Sequence, residues 1–199
     1  MAFLEPDRYF SRLSKVDIRR DLVEAGFRCV LLDVDNTILT RDTHEVPRDV
    51  GVWLAQARDA GVSFCLVSNN WHVGVRELAQ RLELPIVAKA VKPLPPAFLA
   101  ALSKLGAKRA EAVVIGDQLV TDVMGAHFLG MQAYLLAPLV EQDLPHTLLL
   151  RNFERVVMAG RQPEGAGVPS AAQPVEASAA SADSDKIEAC GSAKTEGTS

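Results

Sequence analysis

The sequence is short of three features, and each shortage excludes a class of protein. It has 3 cysteines among 199 residues, and the wide spacing of Cys29, Cys65 and Cys190 fits no zinc motif and suits a reducing compartment. Lys and Arg number 21 against 25 Asp and Glu, so the chain lacks the basic excess with which a nucleic-acid-binding protein meets phosphates. No apolar run approaches the roughly 20 residues that cross a bilayer as a helix.

The first residues also lack the pattern of a signal peptide, because Glu5, Pro6 and Asp7 stand where positive charge and an apolar run belong. We therefore expect a cytoplasmic protein. Residues 1–27 are interpreted as an N-terminal amphipathic segment in which aromatic and basic side chains are interleaved. That mixture suits peripheral contact with the inner face of a membrane. Packing of the same side chains on the body of the protein is the alternative, and it is favoured.

The composition changes sharply near Gly160. Residues 161–199 contain 9 Ala, 6 Ser, 4 Gly and 3 Pro among 39 positions, and they include no aromatic residue. A segment of this composition cannot bury enough apolar surface to offset the entropy lost on ordering. We predict a disordered tail over 161–199, which leaves one domain over 28–160.

Short β-rich runs alternate with helical stretches along that domain. The patterns predict strands over 28–34, 62–67, 86–88, 112–115 and 132–136, and helices over 16–25, 47–60, 73–83, 95–105, 122–129 and 146–158. Such alternation predicts an α/β protein, with a parallel sheet between two layers of helices. The expected architecture is a three-layer α/β/α Rossmann-like sandwich with five parallel strands.

Polar side chains follow four of the predicted strands, in the order Asp33, Asp35 and Thr37, then Ser68 and Asn69, then Lys92, then Asp117 and Asp122. Ligands of parallel sheets bind at the carboxyl ends of the strands, so we expect these side chains to lie close together. Three carboxylates would repel one another in a partly buried site unless a cation lay among them. Oxygen ligands with room for water favour Mg²⁺ over zinc.

These residue types fit the transfer of a phosphoryl group. A carboxylate beside Mg²⁺ is a nucleophile toward phosphorus, a second carboxyl protonates the leaving oxygen, and a lysine and a hydroxyl cradle the phosphoryl oxygens. A receiver-type signalling domain uses similar groups, but its lysine comes last, whereas Lys92 precedes the final acidic motif. A scaffold that has lost catalysis is a further alternative, and it predicts gaps in the motif set that are not found.

The motifs resemble those of the haloacid dehalogenase superfamily of phosphatases: DVDNT at 33–37, Ser68, Lys92 and GDQLVTD at 116–122. The resemblance implies a catalytic set, with Asp33 as the nucleophile, Asp35 as the general acid and base, and Lys92 paired with the nucleophile. It also implies a phosphate-binding set of Thr37, Ser68 and Asn69. Finally, it implies a Mg²⁺ site made by Asp33, the backbone carbonyl of Asp35, Asp117 and Asp122.

The spacing of these motifs leaves no room for the cap domain that many members of the superfamily insert over the site. Only 30 residues separate Thr37 from Ser68 and only 23 separate Ser68 from Lys92, and each stretch is needed for one helix and one strand. An uncapped site suits a bulky phosphorylated substrate. The motifs VSNN at 67–70 and GDQLVTDVMGA at 116–126 are similar to those of the YqeG-type branch of subfamily IIIA. This resemblance implies that the substrate is a lipid phosphate such as phosphatidylglycerophosphate. A soluble metabolite or a macromolecular phosphate is the alternative.

Overall fold

The computed structural model describes residues 3–39, 45–70, 73–139, 158 and 161–165. In this part of the chain, six strands form one sheet: β1 (Arg8–Phe10), β2 (Cys29–Leu32), β3 (Ser63–Ser68), β4 (Ile86–Ala88), β5 (Ala112–Gly116) and β6 (Gln132–Leu136). Their order across the sheet is β1–β6–β5–β2–β3–β4, and every neighbouring pair is parallel. The predicted α/β class is confirmed, and the winding of the chain reverses between β2 and β5.

The prediction of five strands was wrong by one, because residues of the N-terminal segment form the edge strand β1. This strand pairs with β6 in the register Arg8–Tyr134 to Phe10–Leu136. Three residues are too few to show a period of two in the sequence. Of the two alternatives for residues 1–27, packing on the body holds for Phe10 and Leu13, which are both fully buried.

Helices cover both faces of the sheet. α1 (Arg48–Asp59) and α2 (Val73–Arg81) pack on one face, and α3 (Pro95–Leu105) and α4 (Met124–His127) pack on the other. The predicted helix over 122–129 is instead a π-helical turn over Leu119–Val123 that continues into α4. Among the described helices, none is both long and apolar enough to cross a membrane.

Successive side chains of the central strand β2 point to opposite faces of the sheet, so the apolar core has two parts. Val30 and Leu32 belong to the apolar cluster under α1 and α2, whereas Cys29 and Leu31 belong to the cluster under α3 and α4. All of β2 is buried, which explains its continuous apolar sequence. A strand packed on both faces gives a rigid base to the residues that follow it.

The predicted helix over 16–25 is confirmed only in part, since the helical residues within it form a π-helical turn over Ile18–Val23, preceded by a 3₁₀ turn over Leu13–Lys15. The π-helical turn carries Asp21, whose side chain is 1% exposed. The backbone carbonyl of Asp21 accepts a hydrogen bond from the Tyr134 hydroxyl at 2.9 Å. This turn is therefore shaped by bonds to the sheet, which the spacing of apolar residues does not reveal.

The buried Asp21 carboxylate joins this turn to the edge strand. It pairs with Arg8 in β1 and with Arg20 at 2.6 Å, and it accepts the Asp17 N–H at 2.9 Å. Burial by itself would raise the pKa of Asp21, but these hydrogen bonds hold it below its usual range.

Residues 161–165 return to the edge of the sheet beside β1. The Glu164 N–H donates to the Tyr9 carbonyl at 2.8 Å, and the Ser11 N–H donates to the Glu164 carbonyl at 2.9 Å. The Glu164 carboxylate also pairs with Arg8. The start of the segment interpreted as a tail over 161–199 is thus held by β1. Residues 166–199 and all of the predicted helix over 146–158 except Met158 lie outside the described residues.

Candidate active site

The loops after β2 and β5 lie side by side, where the winding of the sheet reverses. The two strands pair from Cys29–Ala112 to Leu32–Ile115. The Asp33 N–H then donates to the Ile115 carbonyl at 2.9 Å, so Asp33 stands directly at the end of the buried strand. Ligands of α/β proteins bind at this kind of position.

Three carboxylates converge there, as the sequence predicts. One side-chain oxygen each from Asp33, Asp117 and Asp122 lies within 4.8 Å of the other two, and all three residues are buried. Carboxylates this close in a buried site repel one another unless positive charge lies among them. The donor set holds oxygen atoms alone, which fits Mg²⁺ better than zinc.

Lys92 supplies positive charge to this cluster. Its ammonium group contacts Asp33 Oδ1 and lies 2.7 Å from Asp122 Oδ1, and its side chain is 3% exposed. Burial by itself would lower the pKa of Lys92, but the two carboxylates raise it above its ordinary value. Burial raises the pKa of Asp33 to about 7, against the opposing effect of Lys92. The lysine stays charged, and one ammonium is shared between two carboxylates.

The two hydroxyl groups predicted to meet phosphate lie beside the first two aspartates. Thr37 Oγ1 donates to Asp33 Oδ2 at 3.3 Å, and Ser68 Oγ donates to Asp35 Oδ2 at 3.4 Å. Both hydroxyl residues are buried, whereas Asp35 is partly exposed. Asp35 therefore has the access to solvent that a group exchanging protons with substrate and water requires.

Asn69 differs from Ser68 and Thr37 in its contacts. Its side-chain Oδ1 accepts the Lys92 N–H at 2.6 Å, and its Nδ2 donates to the Lys92 carbonyl at 3.2 Å. The family resemblance implies a phosphate-binding role for Asn69. In the structure its amide lies against the backbone of the lysine.

Comparisons with known proteins identify the class of protein that this chain resembles. Residues 90–138 match the family described as HAD-hydrolase-like. The chain is 29% identical over 163 residues to the probable phosphatase YqeG of Bacillus subtilis (strain 168), covering 82% of this chain and 94% of that protein. The predicted resemblance to the haloacid dehalogenase superfamily is confirmed, and so is the predicted enzyme class, a phosphatase.

Two further matches cover a smaller share of this chain. The chain is 43% identical over 65 residues to the phospholysine phosphohistidine inorganic pyrophosphate phosphatase of Xenopus laevis, covering 32% of this chain and 24% of that protein. One solved structure is similar with a TM-score of 0.51 and 16% identity, covering 66% of this chain and 83% of its own. That last likeness concerns the fold alone.

Two residues beside these carboxylates received no role from the sequence. A Cβ on Gly116 would lie 2.3 Å from Asp122 Oδ2, so glycine is what lets that carboxylate approach the strand. Asn36 has φ 59°, a conformation that Asn tolerates better than most residues. It is fully buried, and its amide atoms have no hydrogen-bond partner within the described residues. In the sequence, the only sign of the close approach of Asp122 is Gly116 itself. A single glycine occurs in sequences for many different reasons, so it does not identify this contact.

Exposed apolar side chains lie at the same edge of the sheet as the carboxylates. We call Val73, Val91 and Leu94 the apolar rim, and they are 70%, 62% and 53% exposed. Val73 begins α2 after β3, and the other two flank Lys92 after β4. A second exposed pair, Phe3 and Phe128, has ring centroids 5.1 Å apart. These two residues precede β1 and β6, so they lie at the opposite edge of the sheet.

Proposed function

We propose that this phosphatase is a Mg²⁺-dependent phosphomonoester hydrolase that forms an aspartyl phosphate on Asp33. Its proposed substrate is a bulky or lipid phosphate such as phosphatidylglycerophosphate. The observation that carries the proposal is the buried cluster of Asp33, Asp117 and Asp122, with the ammonium of Lys92 in contact with Asp33 and Asp122. The cluster holds three carboxylates and one ammonium, and the remaining negative charge suits a divalent cation.

The proposed metal site consists of oxygen donors from the two segments that follow β2 and β5. Asp33, Asp117 and Asp122 would hold Mg²⁺ through carboxylate oxygens, and Asp35 through its backbone carbonyl. A bound Mg²⁺ neutralises negative charge on the phosphoryl oxygens of the substrate.

In the first half-reaction, a carboxylate oxygen of Asp33 forms a bond to phosphorus while the bond from phosphorus to the ester oxygen breaks. The Asp35 carboxyl donates its proton to that oxygen, so the alcohol leaves in neutral form. The ammonium of Lys92 and the hydroxyls of Ser68 and Thr37 hold the phosphoryl oxygens and orient them.

In the second half-reaction, the Asp35 carboxylate takes a proton from water as the water oxygen attacks phosphorus. The bond between phosphorus and Asp33 breaks, which restores the Asp33 carboxylate and releases inorganic phosphate. Asp35 thereby recovers the proton that it gave to the alcohol. The partial exposure of Asp35 supports this role, because both the alcohol and the water have to reach it.

The proposal of a bulky substrate rests on the open edge around the site. Between Asp33 and Ser68 the described chain forms α1 and β3, and between Ser68 and Lys92 it forms α2 and β4, with no length left for a cap. The apolar rim beside Lys92 suits a substrate or surface with apolar groups. We propose a cytoplasmic protein that meets the membrane through this rim. Phe3, in the N-terminal segment, lies at the far edge, where membrane contact would hold the site away from lipid.

The test is release of inorganic phosphate from phosphatidylglycerophosphate in mixed micelles and from soluble phosphomonoesters. Each substrate is assayed with Mg²⁺ or with EDTA, and Asp33→Asn serves as the blank. Turnover confined to the lipid supports the lipid proposal. Activity on soluble esters alone keeps the hydrolase and contradicts the lipid substrate, and activity that persists in EDTA or in Asp33→Asn contradicts the mechanism.

A further inference from the structure

The loops after β3 and β4 are tied together beyond the ends of their strands. The Ala90 N–H donates to the Ser68 carbonyl at 3.0 Å, and the Lys89 N–H donates to the Asn70 carbonyl at 3.4 Å. The side-chain amide of Asn69 adds two more bonds, to the N–H and the carbonyl of Lys92. We call these four hydrogen bonds the loop clamp. It joins the loop of Ser68 to the loop of Lys92.

The loop that carries Lys92 adopts backbone conformations that need support. Lys89 and Val91 have φ of 55° and 53°, in the left-handed region that residues other than glycine rarely adopt. The conformation is least favourable for a β-branched residue such as Val91. Val91 is 62% exposed, so burial of its side chain does little to hold it there. Such conformations persist when surrounding contacts over-determine them.

We propose that Asn69 is a positioning residue that holds the backbone of Lys92 against the strain of this loop, and does not act as a phosphate ligand. The Asn69 amide binds both backbone groups of Lys92, while the lysine ammonium lies between Asp33 and Asp122 at the other end of the side chain. The consequence for catalysis rests on the proposed function, in which Lys92 holds the phosphoryl oxygens. The clamp itself is independent of that function.

The clamp is tested first without an activity assay. Amide hydrogen exchange is measured by NMR on the full chain and on Asn69→Ala, in the presence of Mg²⁺. We expect the exchange of the Lys92 amide to be at least tenfold faster in Asn69→Ala, because its acceptor is removed. Amides of the central strand β2 serve as the internal control and should keep their protection. Unchanged exchange at Lys92 would overturn the proposal.

The kinetic test separates positioning from phosphate binding. With p-nitrophenyl phosphate and Mg²⁺, we expect kcat of Asn69→Ala to fall by about tenfold or more, because a displaced catalytic group loses its alignment. We expect KM and the inhibition constant of orthovanadate to change by less than about threefold, because no contact to phosphate is lost. A large rise in both constants with kcat unchanged would show that Asn69 binds the phosphoryl group, and would overturn the proposal.

A second variant tests the strain directly. Asn occupies the left-handed region more readily than Val, so Val91→Asn should relieve the strain that Asn69 opposes. Val91 also belongs to the apolar rim, so the variant is assayed with p-nitrophenyl phosphate, a soluble ester, and the kcat of Val91→Asn alone is the baseline for the double variant. In the Asn69→Ala background this substitution should restore kcat at least threefold and slow the exchange of the Lys92 amide. A double variant no better than Asn69→Ala would overturn the proposal. If the wild type hydrolyses no phosphate ester, the exchange data still decide the clamp, and only the proposed function fails.

Discussion

Replacing Gly116 by alanine tests whether the position of Asp122 sets the geometry of the site. The added Cβ would lie 2.3 Å from Asp122 Oδ2 and 2.4 Å from its Cγ. Contacts between carbon and oxygen are ordinarily about 3.3 Å or longer, so the carboxylate has to retreat by about 1 Å. Its other oxygen lies 2.7 Å from Lys92 Nζ. A retreat of that size stretches this bond beyond normal hydrogen-bond length.

The expected loss of activity follows from that displacement. A misplacement of about 1 Å costs on the order of 100-fold in rate, or about 2.7 kcal/mol in the activation barrier. We therefore expect kcat/KM of Gly116→Ala for p-nitrophenyl phosphate to fall by about 100-fold. The Mg²⁺ concentration that gives half-maximal activity should rise, because Asp122 is one of the three clustered carboxylates.

Gly51→Ala is the matched control. Gly51 lies within α1, and a Cβ there meets nothing within 4 Å. This variant should keep wild-type kinetics and gain about 0.5–1 kcal/mol in the free energy of unfolding, because alanine is the better helix former. Thermal unfolding followed by circular dichroism establishes that Gly116→Ala is folded at the assay temperature. A folded Gly116→Ala with wild-type kcat/KM and Mg²⁺ dependence would show that the position of Asp122 does not set the geometry of the site.

Three further predictions concern the buried carboxylates. Asp33→Asn should abolish phosphate release while leaving the circular dichroism spectrum unchanged, because the amide cannot act as the nucleophile; a fully active variant would contradict the mechanism. Mg²⁺ should raise Tm more at pH 8 than at pH 6, because the pKa of Asp33 is raised to about 7 and the metal binds the charged form; equal shifts at both pH values would count against it. Asp21→Asn should lower the free energy of unfolding at pH 7 by about 2–3 kcal/mol in urea titrations, because Arg8 and Arg20 lose their shared partner. The pKa of Asp21 is lowered in the folded state, so its contribution is present above about pH 4 and is lost below it, and the variant should lack this acid-dependent loss.

Several elements of the fold were predictable because prolines and glycines mark their ends. The predicted bounds of β4, α3 and β6 agree with the structure at both ends. Pro85 precedes β4, and α3 begins at Pro95 and is followed by Gly106, which adopts φ 62°. Proline suits the first turn of a helix, and glycine supplies the left-handed residue that ends it. Local rules decide these boundaries, so a single sequence contains the information.

The elements that were missed depend on contacts distant in sequence. β1 is formed by pairing with β6, more than a hundred residues away, and its three residues carry no period of their own. The π-helical turn after it is shaped by the bonds of Asp21 to Arg8 and Tyr134. Glu164 joins the same edge through Tyr9 and Ser11. In each case tertiary contacts outweigh local propensity.

In the candidate site, too, some features were predictable from the sequence and others were not. The position of a residue just after a strand was enough to predict that Asp33, Asp117, Asp122 and Lys92 meet, because parallel strands bring their carboxyl ends to one edge. The same rule does not determine which way a loop side chain points. It placed Asn69 at the site, but not against the backbone of Lys92.

The strand order explains why Lys92 needs such support. Asp33 follows β2, and β3 lies between β2 and β4, so the strand that leads to Lys92 is two strands away from the nucleophile. Two interstrand spacings amount to roughly 9–10 Å, which is more than the four-carbon stem of a lysine covers. The loop after β4 therefore has to lean across the end of β3 to bring the ammonium to Asp33. Two left-handed residues make that turn, and the bonds from Asn69 hold the loop against the end of β3. The strained backbone of Val91 therefore arises because the chain has to carry Lys92 from the edge strand β4 to Asp33, which follows the central strand β2.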